Sequence, residues 1–209
     1  MKFADMTVAQ FLDALCSPAP TPGGGTASAM TGAMAASLLV MVTGLAKSNT
    51  NTDEEKAALA AARTALHPLV ATLAELADAD AASFDAVMHA YRLAKATDDE
   101  KAARSAAIQL ALQGATVVPL QTLRACAGAM AHAGTVAACG NRSAVSDVGV
   151  AIGLLEAAAA GAEANVRINL GSVRDLNFTS AASDETGRLI SEIARQAAEA
   201  RSQLGRAAS

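Results

Sequence analysis

The stretch APTPGGGTASAMTGAMAASLLVMVTGLAK, residues 19–47, decides the reading of the chain. Pro20 and Pro22 fix φ and discourage helix ahead of the loop. Gly23, Gly24 and Gly25 reach backbone conformations closed to other residues and let a ligand come close. Thr26 or Ser28 can then cap a helix start, where free amides point outward and suit an anion or a planar ligand. The loop also reads as a plain flexible turn before a core helix. The uncharged run from Ser17 to Ala46 is long enough to span a bilayer. Its glycines, prolines and many Ser, Thr and Ala residues, with a strongly apolar part confined to Leu38–Val42, predict instead a buried helix of a soluble bundle with no membrane partner.

Composition extends this reading outward. The 209 residues suffice for one domain, 1–209, with a sizeable core. The chain is 52% hydrophobic but only 2% aromatic, and much of the apolar content is alanine. Alanine is the best helix former and adds little bulk, so helix backbones must pack closely. Limited burial per residue also favours a large subunit interface, hence a homodimer or larger closed oligomer. A net charge of −4 without a Lys/Arg cluster argues against nucleic acid. Cys16, Cys126 and Cys139 are odd in number and far apart, as expected of reduced thiols in the cytoplasm. Lys2 is followed by Asp5 and Asp13 with no apolar segment, so no signal peptide is expected.

The periodicity is helical throughout. Val8, Phe11, Leu12 and Leu15 fall at helical spacing behind Thr7, a cap. A second helix follows the glycine loop and ends near Lys47, and SNTNTDEE, 48–55, is a turn. Thr52 with Glu55 and Thr97 with Glu100 form capping boxes. Between them lies a helical hairpin arm, interrupted or kinked near Pro68. A long helix from Asp98 toward Ala138 should bend at Pro119, and 138–143 is a break. Another helix runs from about Ser143 to Leu170, then a connector, then an amphipathic helix over roughly Asp184 to Leu204. No strand or repeat is evident. The expected fold is an all-α bundle of long antiparallel helices, some kinked at Pro.

Few polar residues stand out on apolar faces. Asp80 shares a helical face with Phe84, Val87, Met88 and Tyr91, while Asp85 lines up with His89 and Arg92 on a wet face. A carboxylate facing the core needs a partner or a cleft. It can be a buried Asp bonded to a neighbouring helix, or a site residue. Asp147 precedes Val150, Ala151, Leu154 and Leu155 at helical spacing, in a first turn whose dipole favours the anion. It reads as a helix-start carboxylate or as a site residue. Asn165 and Asn169 share one stripe, where Asn is a poor helix former, so they either bond between helices or read a ligand. Asp147 and Asn165 face the same way but lie about 27 Å apart on an unbroken helix. Either the helix breaks near Gly161, or the stripe tracks a long ligand, or two subunits build each site. His67, His89 and His132 are isolated, so no metal is expected, and no GxSxG nucleophile turn exists.

PTPGGG at 20–25, DADAASFDAVMHAYRLAK at 78–95, RSAAIQLALQGATVVPL at 104–120, NRSAVSDVGVA at 141–151 and NVRINL at 165–170 occur in one order across most of the chain. Together they resemble the cyclodeaminase/cyclohydrolase family of folate enzymes. The chain departs at Ala94, where the family usually has Pro. The resemblance implies hydration of the methenyl carbon of 5,10-methenyltetrahydrofolate to give 10-formyltetrahydrofolate, with no cofactor beyond the folate substrate. Stand-alone length favours this over cyclodeamination of 5-formiminotetrahydrofolate, the second activity it implies. A non-catalytic folate-binding or structural helical dimer is the reading from another class. Asp80 matches the family's acidic position ahead of the aromatic, and Asn141, Ser146 and Asp147 match its NxxxxSD pattern. The resemblance points to Asp147 first and Asp80 second as the proton acceptor. It assigns Pro22, Gly23, Gly24, Gly25, Asn141 and Ser146 to the substrate, Asn165 and Asn169 to the pterin edge, and Lys47, Arg142 and Arg167 to the tail carboxylates.

Overall fold

The computed structural model describes residues 2–45 and 51–208. Its elements are α1 (Val8–Cys16), α2 (Gly24–Gly44), α3 (Asp53–Arg92), α4 (Asp98–Cys139), α5 (Val145–Leu170) and α6 (Leu176–Ala208), with short 3-10 turns at Phe3–Asp5 and Arg142–Ala144. The fold is all-α, and among the described residues there is no strand.

Local chemistry accounts for most helix starts. Thr7, Thr52 and Thr97 each accept the amide of the third helical residue, whose Gln or Glu side chain answers in return. Of the interruption or kink expected near Pro68, the interruption does not occur, since α3 is helical from Asp53 to Arg92. α4 likewise continues through Pro119. Proline removes the amide that would bond the carbonyl four residues back. At Pro119 that carbonyl is Ala115's, and it instead accepts from Asn169 Nδ2 of α5 at 2.7 Å. The expected connector up to Asp184 shortens to five residues, because α6 begins at Leu176. Asp175 Oδ1 accepts the amides of Asn177 and Phe178 and so starts α6 early. Lys47 and residues 48–50 of the turn expected at 48–55 lie outside the described residues.

Short connections make α3 and α4, α4 and α5, and α5 and α6 antiparallel neighbours. α2 packs on both α3 and α5 and closes the ring α2–α3–α4–α5, while α6 lies against α4 and α5. The core is built from small residues, among them Ala29, Ala35 and Ala36 of α2 and Ala151, Ala158 and Ala162 of α5, with Leu39, Leu73, Leu123, Met130 and Ile152 as the bulky members. Closest approach falls where glycine replaces a side chain. A Cβ on Gly161 of α5 would lie 2.1 Å from Ser28 Oγ of α2. By length and composition, α2, α3 and the stretch Arg142–Leu170 are each long and apolar enough to cross a membrane. In this fold they are neighbours in one bundle.

Candidate active site

The glycine loop ends where α2 begins. Thr21 and Pro22 are joined by a cis peptide, and Gly23 takes the N-cap position without any side-chain hydrogen bond. Thr26 and Ser28, the expected caps, lie inside the helix. The missing cap comes from across the bundle. Asp80 of α3 points its carboxylate into the first turn of α2, where Oδ2 accepts from Thr26 Oγ1 at 2.9 Å and the Thr26 amide also bonds the carboxylate. Free first-turn amides and the positive end of the helix favour an anion there. Gly25 makes this contact possible, since a Cβ on it would sit 2.1 Å from Asp80 Oδ1. Burial raises the Asp80 carboxyl above its ordinary pKa, and the two hydrogen bonds from Thr26 offset this only in part.

Asp80 forms one wall of a cleft of about 290 Å³. Thr21, Gly23, Gly24 and Gly25 form its rim, Phe84, Val87 and Leu112 its apolar side, and Ser83, Asn165 and Asn169 its polar side. Each amide is anchored through nitrogen: Asn165 Nδ2 donates to the Gly161 carbonyl at 2.8 Å and Asn169 Nδ2 to the Ala115 carbonyl at 2.7 Å. Their oxygens are left as acceptors for a donor in the cleft. One carboxylate with a raised pKa, two fixed amides and an aromatic flank can accept a proton from water beside a planar ring with donor edges.

The structure thus brings Asp80, Gly23, Gly24, Gly25, Asn165 and Asn169 together. Pro22 is buried in the same loop, with Pro20 and Thr21 on the cleft instead. Asp147 is not brought to this cleft: α5 is unbroken from Val145 to Leu170, so eighteen residues of helix, about 27 Å, separate it from Asn165. Asn141, Arg142 and Ser146 share the Asp147 end, where Asn141 Oδ1 accepts the Ser143 amide and Arg142 and Ser146 are exposed. Arg167 is exposed and paired with Glu163 at 2.7 Å, away from the cleft lining. Sequence reasoning missed Thr26 as the partner of Asp80, and Ser83 and Phe84 as lining. The offset of Phe84 from Asp80 carried the signal for Phe84; nothing local ties Thr26 to a residue 54 positions away. Among the described residues no group of three His, Cys, Asp or Glu side chains is placed to hold a metal ion.

Comparison with known proteins agrees with this architecture. The family model described as formiminotransferase-cyclodeaminase matches residues 7–188. Methenyltetrahydrofolate cyclohydrolase of Methylorubrum extorquens is 42% identical over 186 residues, covering 89% of each chain. Formimidoyltransferase-cyclodeaminase of Sus scrofa is 34% identical over 90% of this chain but only 35% of its own length. The crystal structure of formiminotetrahydrofolate cyclodeaminase from Thermotoga maritima superposes with a TM-score of 0.87 at 25% identity over 98% of both chains. With a family model spanning most of its length and a cleft built from the motifs themselves, the chain belongs to the formiminotransferase-cyclodeaminase family.

Proposed function

We propose that this protein hydrolyses 5,10-methenyltetrahydrofolate to 10-formyltetrahydrofolate. The observation that carries the proposal is Asp80, a half-buried carboxylate with a raised pKa at the glycine-rimmed mouth of a cleft sized for a bicyclic ring. The 42% identity to a methenyltetrahydrofolate cyclohydrolase over most of both chains supports the choice of substrate. The methenyl carbon lies between two nitrogens in a cationic amidinium. Water attacks this carbon while Asp80 takes its proton, giving a neutral carbinol. The hydroxyl then loses its proton as a carbonyl forms, the bond to N5 breaks, and N5 takes a proton back through the carboxylate. One water is consumed and one proton is released overall. The anion of Asp80 also stabilises the cationic substrate. Asn165 and Asn169 offer their oxygens to the N–H edge of the pterin, and Phe84 and Val87 flank the benzoyl ring.

The reaction uses no cofactor beyond the folate and no metal ion, because the electrophile arrives already activated. A homodimer in the cytoplasm is part of the same proposal. No disulfide joins Cys16, Cys126 and Cys139, which suits a reducing compartment, and burial pushes the Cys126 thiol up to about 12. The second reading is cyclodeamination of 5-formiminotetrahydrofolate, favoured by the likeness to the Thermotoga maritima cyclodeaminase. The two separate in one assay. Loss of the methenyl chromophore above the spontaneous rate, unaffected by chelator, supports hydrolysis. Ammonia release from the formimino substrate without that loss supports the second reading, and binding of either folate without turnover overturns both.

A further inference from the structure

Resting on the folate reading above, we infer that a second recess, walled by Arg104 and Arg174, seats the carboxylates of the substrate's glutamate tail. The recess, about 390 Å³, adjoins the cleft, and Leu112 lines both cavities. Its two guanidiniums are held by neutral partners alone. Arg104 donates through Nε and Nη2 to the Tyr91 carbonyl at 3.2 and 3.0 Å and lies 5.8 Å above the Tyr91 ring. Arg174 donates through Nη1 to Ser105 Oγ at 3.1 Å, and its amide donates to Gln109 Oε1 at 2.8 Å.

Elsewhere in the chain the common fate of an arginine is a carboxylate: Arg124 pairs with Glu185, Arg167 with Glu163, Arg195 with Glu199 and Arg201 with Glu156. Among the described residues neither Arg104 nor Arg174 has an acidic group within 4.0 Å. The nearest acids in sequence are Glu100 to Arg104 and Asp175 to Arg174; Glu100 is engaged by the amides of Ala96 and Thr97, and Asp175 by the amides of Asn177 and Phe178 and by Gln113. Two oriented cations without a counter-charge form a site for carboxylates, which a guanidinium binds through paired N–H groups.

The spacing fits one extended ligand. Asp80 and Tyr91 are eleven residues apart on α3, a wall about 16 Å long. Ring chemistry sits at its Asp80 end, the apolar stretch of Phe84, Val87 and Leu112 lies between, and the guanidiniums stand at the Tyr91 end. A pterin, a benzoyl group and a glutamate follow in that order along a reduced folate.

The test measures kcat and KM for 5,10-methenyltetrahydrofolate and for its tail-less counterpart, 5,10-methenyltetrahydropteroate, with the parent protein, Arg174→Ala and Arg104→Ala/Arg174→Ala. Loss of one charge-assisted contact should raise KM for the tailed substrate about tenfold in Arg174→Ala, and further in the double variant, with kcat nearly unchanged. Both variants should handle the tail-less substrate as the parent does, which also shows that they fold. An equal rise in KM for both substrates, or none for the tailed one, overturns the tail seat. So does a parent protein that takes both substrates equally well. A parent protein that turns over neither overturns the folate reading and this inference with it.

Discussion

Asp80 shows how one residue acquires a function from neighbours remote in sequence. Its helical offset from Phe84 and Val87 is legible in the chain, and it places the carboxylate on an apolar face. The reason a charge is tolerated there is not legible, because it resides in the first turn of α2, reached through Thr26 and the bare backbone of Gly25. The raised pKa has two consequences with definite signs. The base is active when ionised, so kcat/KM should fall as pH drops through a value above the ordinary aspartate range of about 4. The folded protein also binds this proton more tightly than the unfolded chain does. Its contribution to stability is therefore full below the unfolded pKa and is lost as pH rises through the folded value. Asp80→Asn should flatten both dependences. Acid limbs of the pH–rate profile that coincide in parent and variant would remove Asp80 from the titration.

Among elements, α5 carries the sharpest difference between sequence and structure. A glycine in mid-helix suggests a break, and a break near Gly161 would let Asp147 and Asn165 share a pocket. The helix instead continues, and Gly161 serves the crossing with α2, where Ser28 Oγ occupies the space a side chain would need. Gly161→Ala should destabilise the fold by about 1–3 kcal/mol through overpacking. Combining it with Ser28→Ala should recover part of that loss, as expected for residues in contact. Denaturant midpoints of the two single variants and the double variant measure the coupling, and strictly additive costs would contradict the contact. α4 makes a related point. Proline at 119 leaves the Ala115 carbonyl without an amide, and Asn169 takes it over. The same bond holds Asn169 at the cleft, so a packing repair and a site residue coincide. The start of α6 is hidden in the sequence because the run NFTSAASDET looks polar, whereas Asp175 caps it and Ala182 and Thr186 are buried.

At the scale of the whole molecule, the all-α class and the order of long helices were readable from alanine content, capping boxes and the absence of period-two runs. The three-dimensional ring that brings α2, α3 and α5 to one cleft was not, because helical periodicity reports which face is buried and says nothing about against which partner. An alanine core also leaves larger apolar groups outside. Met34, Met41 and Leu45 of the α2 region are 52%, 41% and 40% exposed, and Met34 and Met41 flank a groove of about 700 Å³ with Met30, Leu38, Val70 and Leu154. Sedimentation equilibrium should therefore give the mass of a dimer for the parent and of a monomer for Met34→Asp/Met41→Asp. A parent protein monomeric at every concentration would refute this. The central claim is that the cleft at Asp80 hydrolyses the methenyl bridge, and loss of 5,10-methenyltetrahydrofolate absorbance, corrected for spontaneous hydrolysis, tests it most directly. Asp80→Asn should lower turnover by about 10² to 10⁴, the usual contribution of general acid–base catalysis, with Asp147→Asn close to the parent and all three proteins folded by their melting curves. Normal turnover by folded Asp80→Asn, with Asp147→Asn reduced to the spontaneous rate, would contradict the account.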